Sequence, residues 1–249
     1  MAEAHIVKSF DEQLNKLYDL IARMGGLAEA NLAGALRALG ERDADLADRV
    51  NAADDRVDAL EKAVQDQVIR LLALRAPVAD DLRTVITALR SASALERIAD
   101  HAANTARRSV IVSQGPVVPA VRGLIRMGQL VSGLLKEAVD SYIAGDADRA
   151  KAIWHRDREV DDLYSSLFRE LLTYMMEDPR NITSCIHLLF IAKNIERIGD
   201  HITTIAEMTY FQVTAKSLSD RPKMDTSLQS HLLLGEFNPE DFGSGNEEL

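Results

Sequence analysis

Eight carboxylates carry the chemistry this sequence offers. Asp54 and Asp58 stand four residues apart, as do Glu96 and Asp100, Asp157 and Asp161, and Glu196 and Asp200. On a helix each such pair shares one face, with its members about 6 Å apart. Oxygen-only donors of this kind suit Mg²⁺, Mn²⁺, Ca²⁺ or iron rather than a thiolate-loving metal. Ordinary solvated acids would show the same spacing, so position has to separate the two readings.

Residues 96–101 read ERIADH and residues 196–201 read ERIGDH, five identities in six positions at an offset of one hundred residues. The preceding segments match as well: Asp54, Val57, Asp58 and Leu60 correspond to Asp157, Val160, Asp161 and Leu163. In an antiparallel hairpin turning near residue 76, Asp58 and Asp54 lie roughly 18 and 22 residues before the turn. Glu96 and Asp100 lie roughly 20 and 24 after it, so at ~1.5 Å per residue all four share one level. Turning near residue 178 produces the same coincidence in the second copy. Four carboxylates at one level repel, each pair by ~2 kcal/mol at ~7 Å and an effective dielectric near 20, and a bound cation is the direct way to offset this. Arg97 and Arg197 are a second source of charge, although each sits about 100° around the helix from its glutamate. His101 and His201 follow the glutamates by five residues and point away from the carboxylate face, which makes them structural histidines. The Glu-x-x-His pairs of di-iron bundles are missing at these positions, and no P-loop, dinucleotide-binding glycine signature or nucleophile elbow occurs.

The elements that must position these residues are helices. Aromatics are only 5% of the chain against 47% hydrophobic residues, with 6 Pro and 13 Gly, a composition poor in strand and turn formers. Apolar spacing predicts helices from about His5 to Leu39, ending at Gly40, and from an N-cap at Asp43 to just before Pro77. The next has Pro77 in its first turn and runs to the Gly115-Pro116 break. Three more span Val117 to Ala144, from beyond Gly145-Asp146 to about Met176, and Ile182 to about Val213. The fold class is therefore all-α, two tandem three-helix bundle repeats, elongated, over residues 1–115 and 116–213. Residues 214–249 hold three Lys or Arg against seven Asp or Glu and are read as a mostly disordered acidic tail in which Leu232, Leu233 and Leu234 form the apolar cluster.

A net charge of −10 argues against a nucleic-acid binder and against electrostatic adhesion to anionic lipid. The single cysteine, Cys185, excludes an internal disulfide and a thiolate zinc site, and is read as a buried thiol. No stretch reaches the roughly 18 apolar residues a spanning helix needs, and a cytoplasmic protein is expected.

At the acidic motifs the sequence resembles the PhoU family, cytoplasmic regulators associated with bacterial high-affinity phosphate transport. The family's LERIGDHAxNIAE-like segment is matched by LERIADHAANTA at 95–106 and IERIGDHITTIAE at 195–207, and its Pro-x-x-x-Asp-Leu-Arg stretch by Pro77 to Arg83. Ala99 replaces the usual Gly in the first copy and Thr204 the usual Asn in the second. Arg107 stands where Glu207 stands, which would make the two sites unequal. The resemblance implies a non-enzymatic adaptor and negative regulator of phosphate uptake and phosphate-starvation signalling. Its implied partners are the ATPase subunit of the phosphate ABC transporter and a sensor histidine kinase, with membrane contact only through them. A homodimer and bound Mg, Mn or Fe at Asp54, Asp58, Glu96, Asp100, Asp157, Asp161, Glu196 and Asp200 are expected. A metal-dependent hydrolase and a purely structural scaffold remain the alternative classes.

Overall fold

The structure, a computed structural model, describes residues 2–218, with side chains from Glu12 onward, and is helical without strands among the described residues. Its first repeat comprises α1 (Ala2–Glu41), α2 (Ala44–Ala53), α3 (Asp55–Arg75) and α4 (Ala79–Gln114). The second comprises α5 (Val121–Ala144), α6 (Ala147–Glu177) and α7 (Ile182–Thr214), with one 3₁₀ turn at Pro179–Asn181 before α7. The acidic tail, including Leu232, Leu233 and Leu234, lies outside the described residues from 219 on.

Several boundaries follow the expected chemistry. Asp43 is extended and its carboxylate accepts from Leu46 N at 2.9 Å, opening α2, and Asp146 repeats the arrangement with Arg149 N at 2.9 Å. Gly145 ends α5 at φ 63°, a left-handed conformation that costs glycine nothing.

Others differ from the sequence reading. α1 does not stop at Gly40 but continues to Glu41 and turns at Arg42, φ 57°. Gly40 serves packing instead: a β-carbon there would stand 3.0 Å from Ile125 Cδ1 on α5. Pro77 is not in the first turn of α4, because Ala76 caps α3 in the left-handed region and Val78 is extended. The helix therefore begins at Ala79. α5 begins at Val121 rather than Val117, since Pro119, which lacks an N–H, leads the opening turn in which Arg122 N donates to its carbonyl at 3.2 Å. The expected continuous second helix is interrupted at Asp54, where the ladder shifts to a shorter repeat: Asp54 N donates to Asn51 O at 3.3 Å and Val57 N to Asp54 O at 2.8 Å.

One core runs through both repeats, joining Leu17, Met24 and Leu32 of α1 to Leu95 and Ile98 of α4, Leu135 of α5, Val160 of α6 and Ile195 and Ile198 of α7. A small satellite of Ala35, Ala38, Ala47, Val50 and Ala106 ties α2 to α1 and α4. α4 and α7 lie antiparallel at the centre: Thr87 Oγ1 donates to Met208 O at 3.4 Å, Arg83 Nε to Gln212 O at 3.5 Å, and the Arg108 guanidinium sits 4.1 Å over the Phe190 ring. With the offset of one hundred residues this pairing has approximate two-fold symmetry, Ile98 and Ile198 lying near the axis.

Candidate functional site

In the first repeat the break at Asp54 places its carboxyl one turn before Asp58, on the side of the α2–α3 segment that meets α4. Burial first, then the charges of Asp100 and Asp58, push Asp54 from the ordinary 3.8 up to about 6, against the opposing pull of Arg107. Burial likewise raises Glu96, with Asp100, Glu61 and Asp58 adding to the rise and Arg97 opposing it. The pairs on α3 and α4 therefore lie within each other's field. Arg97 reaches round the helix in spite of its position, with Nε 3.3 Å from Glu96 Oε2 and Nη1 3.5 Å from Asp100 Oδ2. Its side chain is long enough to fold back onto a neighbouring face. Arg107, which opposes the charge on Asp54, donates to Asn104 Oδ1 at 2.8 Å.

The second repeat carries the same residues on an unbroken α6. Asp157 is only 2% exposed, and Gly199 on α7 makes room for it: a β-carbon at Gly199 would stand 3.1 Å from Asp157 Oδ1 and 3.4 Å from Val160 Cγ1. Where the first repeat has Ala99 in place of this glycine, the corresponding Asp54 is half-exposed and its helix is broken. Asp161 is pushed from 3.8 to about 6 by burial, then by Glu196, Asp200 and Asp162. Burial also raises Glu196 and Asp200, and Lys193 opposes the rise in both. Lys193 Nζ lies 2.8 Å from Glu196 Oε1 and 2.7 Å from Oε2, and 5.4 Å from the Tyr164 ring centroid. Trp154, one turn before Asp157, donates its indole N–H to Glu207 Oε1 at 2.8 Å.

The structure thus brings α3 carboxylates into the field of those on α4, and Asp161 on α6 into the field of those on α7, at matching places in the two repeats. As the side chains stand, no group of three or more His, Cys, Asp or Glu among the described residues is arranged to hold a metal ion. Lys193 and Trp154 are missing from the sequence reading. Lys193 was detectable as a cation three residues before Glu196. The partnership of Trp154 with Glu207 crosses two helices and leaves no local pattern.

The histidines meet each other instead of the acids. The His101 and His201 rings stack at 5.6 Å with an interplanar angle of 21°, joining α4 to α7 beside the two-fold axis. Burial lowers the pKa of both; the next largest cause is His201 for His101 and Arg97 for His201.

Among known proteins the PhoU domain is matched twice, over residues 21–109 and 124–209, one copy in each repeat. A phosphate-specific transport system accessory protein PhoU homolog from Caulobacter vibrioides is 47% identical over 227 residues, covering 90% of this chain and 99% of that protein. A homolog of the same description from Rhizobium meliloti is 47% identical over 228 residues, covering 90% and 96%. The crystal structure of PhoU from Pseudomonas aeruginosa superposes with a TM-score of 0.81 at 35% identity, covering 83% of this chain and all of that one. The phosphate transport system regulatory protein PhoU from Streptococcus pneumoniae gives 0.79 at 28% identity, covering 84% and 99%. Two repeats, two acidic motifs at equivalent depth, and relatives aligned across almost their whole length together make this chain a member of the PhoU family.

Proposed function

We propose that the chain is a non-enzymatic accessory regulator of phosphate transport, which restrains phosphate uptake and phosphate-starvation signalling when phosphate is plentiful. The observation that carries this reading is the alignment of both repeats with phosphate-specific transport accessory proteins over 99% of the Caulobacter relative. On this reading the chain works in the cytoplasm as a homodimer, by contact with the transporter's ATPase subunit and with a sensor histidine kinase. Deleting its gene is expected to switch on the starvation response, or make uptake excessive, in phosphate-rich medium. Tagged full-length protein is expected to recover the ATPase or the kinase. Unchanged signalling and uptake, with neither partner recovered, overturns the proposal.

The acidic patches take part in it as cation sites. Their donor set, Asp54, Asp58, Glu96 and Asp100 in one and Asp157, Asp161, Glu196 and Asp200 in the other, is oxygen-only and fits Mg²⁺, Mn²⁺ or iron. Arg97 and Lys193 already supply positive charge to these carboxylates. A bound ion would supply that charge and reverse the local field, changing which partner surface docks. Metal analysis of the purified protein tests this: Glu96→Ala with Glu196→Ala is expected to lower the bound metal with the helices intact, and equal loading in the double variant excludes these sites.

A further inference from the structure

A shallow cavity of about 340 Å³ opens on the α4–α7 seam beside the stacked histidines, and its Arg97 also reaches the first acidic patch. Arg90, Ser93, Ala94 and Arg97 line it from α4, and His201 and Thr204 from α7. Ala94 is its buried floor and both arginines stand at its rim. Arg90 makes no ion pair or hydrogen bond among the described residues. Arg97 is shared with Glu96 and Asp100, and the Thr204 hydroxyl donates to Asp200 O at 3.2 Å. Glu207, which lines the adjoining cavity with Arg90, is engaged by Trp154. Two guanidiniums, a hydroxyl and an imidazole around one opening form a donor set for an oxyanion.

The equivalent place in the other repeat carries different groups. Across the two-fold axis Arg90, Ser93, Ala94, Arg97, His201 and Thr204 correspond to Phe190, Lys193, Asn194, Arg197, His101 and Asn104. There Asn194 stands beside His101, Lys193 is held by Glu196, Phe190 lies under Arg108, and Asn104 accepts from Arg107. On the open side, alanine replaces the asparagine, so the space beside His201 holds no amide, and arginine replaces the phenylalanine. The symmetry is broken toward a cavity rich in donors.

We propose that this cavity binds a phosphoryl oxyanion, with Arg90 and Arg97 as its charged donors and His201 and Ser93 completing the set. The assignment stands on the cavity alone, and its failure leaves the regulatory reading intact. The volume exceeds that of several waters, at about 30 Å³ each, so it admits orthophosphate or the end of a phosphate chain. The test is a titration of the full-length, EDTA-treated protein, labelled with ¹⁵N, with sodium phosphate and separately with tripolyphosphate, at ionic strength held constant with chloride. Saturable shifts confined to residues 90–97 and 201–204 are expected. Tighter binding of tripolyphosphate assigns a phosphate chain or phosphoryl-bearing molecule, and equal binding assigns the free ion. Ala94→Asn, which places the other repeat's amide in the opening, is expected to abolish binding. Arg90→Gln, a rim substitution that leaves the core untouched, is expected to weaken it about tenfold. No saturable binding of either anion below about 10 mM, or wild-type binding in Arg90→Gln, overturns the proposal.

Discussion

Asp54 and Asp161 hold their protons to about pH 6, well above the 3.8 of an ordinary aspartate. Between 3.8 and about 6 the folded chain therefore retains protons that the unfolded chain has released. By linkage, stability is highest below this window and falls as pH rises through it. A tenfold change in proton affinity corresponds to about 1.4 kcal/mol, and because both groups are partly in water the effect is reduced to under about 1 kcal/mol each. In metal-free protein, urea melts at about pH 4.5 and 7 should show Asp54→Asn with Asp161→Asn flattening this fall and gaining stability at the higher pH. A double variant with the wild-type slope would place the pH-sensitive groups elsewhere. The eight carboxylates were legible in the sequence because their spacing is helical and occurs twice. Their counter-charges were less so: Arg97 folds back along its helix, while the pull of Arg107 on Asp54 arises between helices.

Among the elements, the helix ends set by local chemistry were legible, as at Asp43, Gly145 and Asp178-Pro179. Those decided by packing were not: Gly40 reads as a stop, yet it is one of the close contacts of α1 with α5. The interruption at Asp54 has a faint sequence correlate in Ala99, which stands where the other repeat uses glycine to receive Asp157. Arg42 illustrates a boundary held from a distance. From its left-handed position it donates to the carbonyls of Ser113 and Gly115, the latter at 2.7 Å, and so caps the C-terminus of α4. Arg42→Ala is expected to cost about 1 kcal/mol and to speed amide exchange over residues 112–115. Unaltered protection there would show that water caps the helix equally well.

At the scale of the whole molecule the two repeats behave as a dimer within one chain. The offset of one hundred residues made the duplication legible, but nothing in it dictates that α4 and α7 should be the surfaces that meet. That is settled by partners far apart in the chain, Thr87 with Met208 and His101 with His201, which leave no local pattern. A fragment of residues 1–118 would leave the α7-facing side of α4 uncovered, and a second copy of α4 is the surface most like the one removed. Such a fragment is expected to self-associate as a dimer in light scattering. A monodisperse, folded monomer would show that α7 is not needed to cover that face.

The chain has one tryptophan, Trp154, nearly buried and bonded to Glu207, with the His155 ring edge-on at 5.1 Å. The protein therefore carries an indole reporter for its second repeat and none for its first. Mn²⁺ or iron reaching the α6–α7 patch should quench indole emission in proportion to occupancy of that patch. Glu196→Ala should remove the quenching, while Glu96→Ala should leave it unchanged. Fluorescence titration thus counts half of the molecule, and a stoichiometry of one read by light is compatible with two ions read by mass.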